Sequence, residues 1–357
     1  MLTYSGLAIG MQILAYGGSQ PVPFQQGICE SQALEPGITG NFTKNQMQLL
    51  ADATGCNTTD INSNETIACL RALDTDTFAN ASFNTYTADI AHNIGDSWLP
   101  VVDGDFLPAA PSELLAQGRM ANVTTTILWC NDDVQFFTPV DIVTPQDTLQ
   151  FVKTYLPAIT NQSATDLLDL YPSSDFQGNE TANLSAEFYR SARIFRDILM
   201  TCEPIHFGET LANLGNVVYY ANQNQSILPP ILESLGYLGL GPVHTSEFAY
   251  TMANFSHYDG WPYHVDADDY RIQRQQSRSW STFAATGQHS LYTKDTLQGW
   301  EPAYAVQNNT KIFVVGGSSE GLTAIDGPAA AVATEDQKLR TRCGFINSAD
   351  FISQLQY

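Results

Sequence analysis

Thr124–Cys130 reads TTTILWC and runs straight into Asn131-Asp132-Asp133. Seven β-branched and apolar residues with no polar face suit a strand buried on both sides. The switch to Asn-Asp-Asp marks its end. NVVYYAN (216–222) and TKIFVV (310–315) repeat the pattern, and FQQGICES (24–31) offers a shorter version. Stretches with helical spacing lie between them. In GLAIGMQILAY (6–16), Leu7, Met11 and Leu14 share one face, and Gly17-Gly18 supplies a stop. Strands separated by helices imply an α/β domain with a mainly parallel sheet.

Working outward, 45–54 is a helix that stops at Gly55, and 65–73 and 112–118 are shorter ones. WLPVVDGDF (98–106) reads as extended with a turn at Asp103-Gly104. Thr144 can cap a helix that has Pro145 at its first position. Helical patterning then recurs to Leu240, broken by polar loops at Asn161, Ser173 and Asn224. A long helix is expected over 270–285, ending at Gly287. There are no internal repeats and no low-complexity linker, so residues 1–357 are expected to form a single domain.

Apolar residues make up 43% of the chain and aromatics 11%, enough for a sizeable core. The formal charge is -22. That excludes nucleic acid as a natural partner, because such affinity rests on Lys and Arg neutralising phosphates. It also disfavours anionic membranes. No apolar run reaches the roughly 18 residues of a spanning helix. Residues 7–16 are apolar, but residues 1–5 contain no Lys or Arg, so they do not read as a signal peptide.

Asn-x-Ser/Thr sequons stand at Asn41, Asn57, Asn64, Asn80, Asn122, Asn161, Asn179, Asn183, Asn224, Asn254 and Asn308. That density points to the secretory pathway, an extracellular destination and N-glycans. None of the six cysteines has zinc-site spacing. Cys56 and Cys69 flank a polar segment with two sequons, where an oxidising compartment would allow a local disulfide. Cys29, Cys130, Cys202 and Cys343 cannot be paired from sequence.

In α/β sheets, functional groups collect beyond the carboxyl ends of the strands. Asp133 falls just past 124–130, and His244 follows a turn containing Gly239, Gly241 and Pro242. The order acid, then histidine, matches a Ser…Asp/Glu…His triad. The histidine would act as general base and the carboxylate would orient its ring. On residue type alone, Asp133 could equally be a turn or capping residue, and His244 a structural one.

Several segments together resemble the type-B carboxylesterase/lipase family, which includes cholinesterases and fungal extracellular lipases. MQILAYGG (11–18) is similar to the helix after that family's nucleophile elbow. GICESQA (27–33) is similar to the strand that follows, with Ser31-Gln32 where the family usually has Ser-Gly. LADATGC…ACLRAL (50–73) resembles a disulfide-closed loop, which implies pairing of Cys56 with Cys69. WLPVVDGDFLPAAPSELLAQG (98–118) is the most specific match. ILWCNDDVQFF (127–137) and GPVHTSEFAY (241–250) resemble the catalytic-acid and catalytic-histidine segments, with Glu247 in the usual acidic position. Trp280, Phe283, Ala284, Gly287, Trp300 and Tyr304 match the terminal helix and the segment after it.

The resemblance implies an α/β-hydrolase fold and hydrolysis of a carboxylic ester, lipid or otherwise, without metal or organic cofactor. It carries the histidine role onto His244 and the acid role onto Asp133, with Asp132 as the near alternative. The family's acid is usually Glu, one methylene longer. The nucleophile position lands near Thr3, where no Gly-x-Ser-x-Gly is present; Ser5-Gly6 is at most a remnant. The glycine-rich oxyanion loop and the sheet strands before the elbow also lack counterparts. The expectation is therefore an N-terminally shortened chain, without a signal peptide and inactive by itself. A start codon placed inside a longer reading frame would explain this best. A shortened secreted protein with a binding role is the alternative.

Overall fold

The computed structural model describes residues 3–32, 34, 36–39, 42–58, 60–88, 98–306 and 309–357. Five strands form one sheet in the order β1 (Gln26–Glu30), β2 (Thr124–Cys130), β3 (Val218–Gln223), β4 (Lys311–Val315) and β5 (Gly321–Ala324). The first four are parallel, and β5 returns antiparallel to β4. The carboxyl ends of β1 to β4 therefore lie along one side of the sheet.

Both faces are covered, which explains the unbroken apolar runs. Cys29, Ile127, Trp129, Val218, Tyr220 and Ile312 pack into the larger core cluster. That cluster takes Leu7, Met11 and Leu14 from the helix Thr3–Leu14, together with residues from the helices between β2 and β3 and from the C-terminal helices. The alternate residues Leu128, Tyr219, Ala221, Phe313 and Val315 face the other way, against Tyr250, Ile272, Trp280 and Phe283. Three of those four come from the helix Ala267–Thr286, whose capping box at Asp266/Asp269 and left-handed Gly287 set its ends.

The helix after Thr144 begins as expected, with Pro145 in its first turn and a Thr144/Asp147 capping box. Asn161 does not interrupt the chain as a loop: Thr160 caps there, and Asn161 opens the helix Asn161–Asp169. Helices Ala186–Arg196 and Glu203–Asn213 join through a π-helical turn, Asp197–Cys202, into one continuous rod. Several elements go beyond the sequence expectations, among them the helix Thr75–Ala88, the strand β5 and the helices Leu339–Ile346 and Ala349–Leu355 after it. Disulfides join Cys56 to Cys69 and Cys202 to Cys343, while Cys29 and Cys130 are free and buried. Among the described residues, no helix is long and apolar enough to cross a membrane.

Candidate active site

The turn after β2 folds the Asp133 carboxylate back over the strand end. Cys130 N–H donates to Asp133 Oδ2 at 2.7 Å. The Ser31 hydroxyl donates to Oδ1 at 3.1 Å. Ser31 reaches it because the residue after β1 adopts a left-handed conformation (φ 52°), while its N–H donates to Leu128 O. Oδ1 also faces His244 Nδ1 at 2.9 Å. Asp133 is fully buried and His244 nearly so. A carboxylate only accepts, so Nδ1 carries the proton and Nε2 is the basic nitrogen of the ring.

The histidine loop is tied to the acid turn along its length. His244 N–H donates to Asp133 O at 3.0 Å, and Asp132 N–H donates to Pro242 O at 3.0 Å. Gly241 N–H donates to Gln135 Oε1 at 2.9 Å. A Cβ at residue 241 would lie 2.2 Å from Asp132 Oδ2, so a larger residue there would have to displace the Asp132 side chain. Asp132 itself points away from the imidazole, toward Asn131 Nδ2 (3.1 Å) and Arg193 (3.8 Å). Of the two aspartates read as alternatives, Asp133 is the one on His244.

Burial pushes the His244 pKa down, but the hydrogen bond and charge of Asp133, helped by Glu247, outweigh it and hold the imidazole above its ordinary range. Two further carboxylates lie close by. Glu247 is buried and accepts from Cys130 Sγ at 3.0 Å; burial raises its pKa, against the pull of His244. Glu30 accepts from Trp280 Nε1 (2.8 Å) and Thr251 Oγ1 (3.2 Å), and burial together with Glu247 pushes it up to about 8. The Cys130 thiol is raised well above its usual range by burial and by Glu247, so it is an inert donor and not a nucleophile.

Nothing described supplies the nucleophile. Ser31 bonds to the acid, not to the base. Ser5 lies in the first turn of the opening helix, but the side chains of residues 3–5 lie outside the described part of the molecule. GSSEG at 317–321 matches Gly-x-Ser-x-Gly as a string. It forms the hairpin between β4 and β5, whereas the nucleophile elbow needs a strand-to-helix turn. Phe137 lies against His244, with ring centroids 6.1 Å apart. Its neighbour Phe136 meets Tyr237 at 4.9 Å, and both line a groove of about 270 Å³ together with Leu184, Leu238 and Leu240 and the polar Gln135, Thr138 and Asn183. Among the described residues, no group of His, Cys, Asp and Glu is arranged to hold a metal.

The site was legible only in outline. Asp133 and His244 stand at strand-end and glycine-turn positions that sequence reading can find. Ser31, the Cys130 N–H, Gln135 and Glu30 act through backbone angles and long-range approach, for which the sequence carries no local signal.

The profile of the carboxylesterase family matches residues 8–328. The chain belongs to this family. A secreted lipase of Arthroderma benhamiae is 47% identical over 99% of the chain, which covers 62% of the lipase. An inactive carboxylesterase-like protein of Byssochlamys spectabilis is 27% identical over 96% of the chain and 60% of its own length. The crystal structure of Aspergillus niger EstA superposes with a TM-score of 0.72 at 19% identity, covering 99% of this chain and 63% of that one. This carboxylesterase-family chain thus has an α/β-hydrolase fold and spans about 60% of the length of these relatives.

Proposed function

We propose that this chain carries the acid–base half of a secreted, N-glycosylated carboxylic-ester hydrolase, with residues 1–357 forming one carboxylesterase-type domain. The observation that carries the reading is the buried His244 Nδ1–Asp133 Oδ1 contact at 2.9 Å. A serine hydroxyl attacks the ester carbonyl while His244 Nε2 takes its proton. The same nitrogen then returns the proton to the leaving alcohol. Asp133 holds the ring in the tautomer this requires and stabilises the imidazolium. The groove beside Phe136 would receive an apolar part of the ester, lipid or aryl. The secreted-lipase relative supports both the destination and the substrate class.

By themselves residues 1–357 are inactive in this reading, since no serine among them stands in a Gly-x-Ser-x-Gly turn between a strand and a helix. Oxyanion donors alone account for a factor of about 10²–10³ in rate where they have been removed singly. Purified 1–357 should leave a short-chain aryl ester at the buffer rate. The product of the longest transcript containing this frame should hydrolyse it, and His244→Gln should cost that product at least about a hundredfold in kcat. Failure of that longer product on aryl and lipid esters alike would sink the hydrolase reading. The relative named as an inactive carboxylesterase-like protein would then favour a binding role on the same fold.

A further inference from the structure

Asn131, directly after β2, has every polar group engaged, three of them by three other elements. Its N–H donates to Gln223 O at the end of β3 at 2.9 Å. Its carbonyl accepts from Arg196 Nη1 at 2.8 Å, its Oδ1 from Gln337 Nε2 at 3.2 Å, and its Nδ2 donates to Asp132 Oδ2 at 3.1 Å. Arg196 is 1% exposed and reaches this carbonyl from the end of the helix Ala186–Arg196. The rest of its guanidinium is held on Asp197: Nε lies 2.8 Å from Oδ1, and Nη2 bonds the same oxygen. Asp197 Oδ2 in turn accepts from Tyr171 OH at 2.8 Å. Gln337 is equally buried and approaches from the turn before the helix Leu339–Ile346.

We propose that Asn131 is a positioning residue for Asp133, clamped from one side by Arg196 and from the other by Gln337. This deepens the proposed function, on which the word positioning rests. Two residues beyond Asn131, the Asp133 carboxylate must hold 2.9 Å from a ring on another loop. A free turn could rock about the strand end and open that contact. Backbone bonds from Asp132 N–H to Pro242 O and from His244 N–H to Asp133 O tie the turn to the histidine loop, and Ser31 and Cys130 N–H fix the carboxylate; the three fixed points on Asn131 anchor this assembly to β3, the 186–196 helix and the 337 turn and so remove the rocking about the strand end. Arginine suits the task because its planar fork serves Asp197 and the carbonyl at once, which a lysine ammonium cannot do with the same geometry.

The test is proton NMR of the purified 1–357 chain, following the His244 Nδ1 proton, which a carboxylate partner moves far downfield and protects from exchange. His244→Gln assigns the signal. Arg196→Lys keeps the charge on Asp197 but gives up the Asn131 carbonyl. Gln337→Met keeps the bulk but gives up the Asn131 amide oxygen. Either variant is expected to lose the protected signal at a temperature where circular dichroism shows native secondary structure. Gln337→Met carries the test where Arg196→Lys does not fold. A protected Nδ1 proton unchanged in a folded variant overturns the proposal, even if the melting temperature has dropped, because a merely structural role moves only the latter. The readout needs no ester, so it stands or falls separately from hydrolysis.

Discussion

Two buried histidines, His244 and His289, sit in opposite surroundings. His244 has carboxylates beside it and is held above its ordinary range. His289 is stacked between Phe283 and Trp300, with centroids 4.5 and 3.8 Å away, and Tyr219 and Trp280 close on its edges. Its Nε2 lies 2.6 Å from Thr126 Oγ1. Burial in this apolar box, only partly offset by the Ser279 backbone, lowers its pKa from 6.5 to about 3. Below 6.5 the unfolded chain therefore binds a proton that the folded chain refuses. The contribution of His289 to stability is complete above 6.5 and is lost as pH falls toward about 3, at up to roughly 1.4 kcal/mol per pH unit. Glu30 and Glu203, both pushed up to about 8 by burial, act in the other direction: they cost stability as pH rises from 4.5. The wild-type pH profile mixes these slopes, but the difference from a single variant isolates one of them. His289→Gln keeps an acceptor for Thr126 and does not titrate. Urea unfolding of both proteins between pH 4 and 7 should give stabilities that converge as pH falls. Parallel curves would mean that His289 is protonated in the folded state.

At the scale of elements, what could be read from sequence depended on how each segment meets the core. Strands β2 and β3 were legible because both faces are buried and β-branched, aromatic and apolar residues fill them, with the polar amides of β3 only at its end. The four-residue β5 was not: GLTA begins with glycine, lies at the sheet edge, and has only its last two residues buried. The helix Thr75–Ala88 buries only Ala81 and Thr85, so it carries no apolar stripe to betray it. Asn161 looked like a loop because a polar sequon marks it, yet Thr160 just before it is a working N-cap. Caps are local chemistry, and their energies are correspondingly testable. Ser185 starts the helix that carries Arg193 and Arg196: its hydroxyl accepts from Phe188 N–H at 2.9 Å and donates to Ile142 O at 2.5 Å. Ser185→Ala removes both bonds and should lower the free energy of unfolding by about 1–2 kcal/mol. The measurement is the urea midpoint at unchanged m-value; a loss below a few tenths would show that water replaces the cap.

Over the whole molecule, two disulfides constrain very different lengths of chain. Cys56–Cys69 closes a separation of 13 residues and Cys202–Cys343 one of 141. The first staples a surface loop locally. The second fastens the helix Leu339–Ile346 to the π-helical turn between Ala186–Arg196 and Glu203–Asn213, across the body that supports the acid turn. On the loop-entropy account, closing the longer loop restricts the unfolded chain by roughly 5 kcal/mol and the shorter by roughly 3 kcal/mol. The longer bridge also lies where neighbouring contacts depend on it. Arg342, one residue before Cys343, stacks on Tyr171 at 4.0 Å and donates to Gln337 O at 3.0 Å. The paired replacement Cys202→Ser/Cys343→Ser should therefore destabilise more than Cys56→Ser/Cys69→Ser. Guanidinium unfolding monitored by tryptophan fluorescence and by circular dichroism gives both losses. If the two pairs cost the same, loop length is not the governing quantity, and residual structure in the unfolded chain already holds residues 202 and 343 near one another. If the longer pair costs more and the two probes also cease to coincide, the bridge is what makes the helix Leu339–Ile346 unfold together with the sheet.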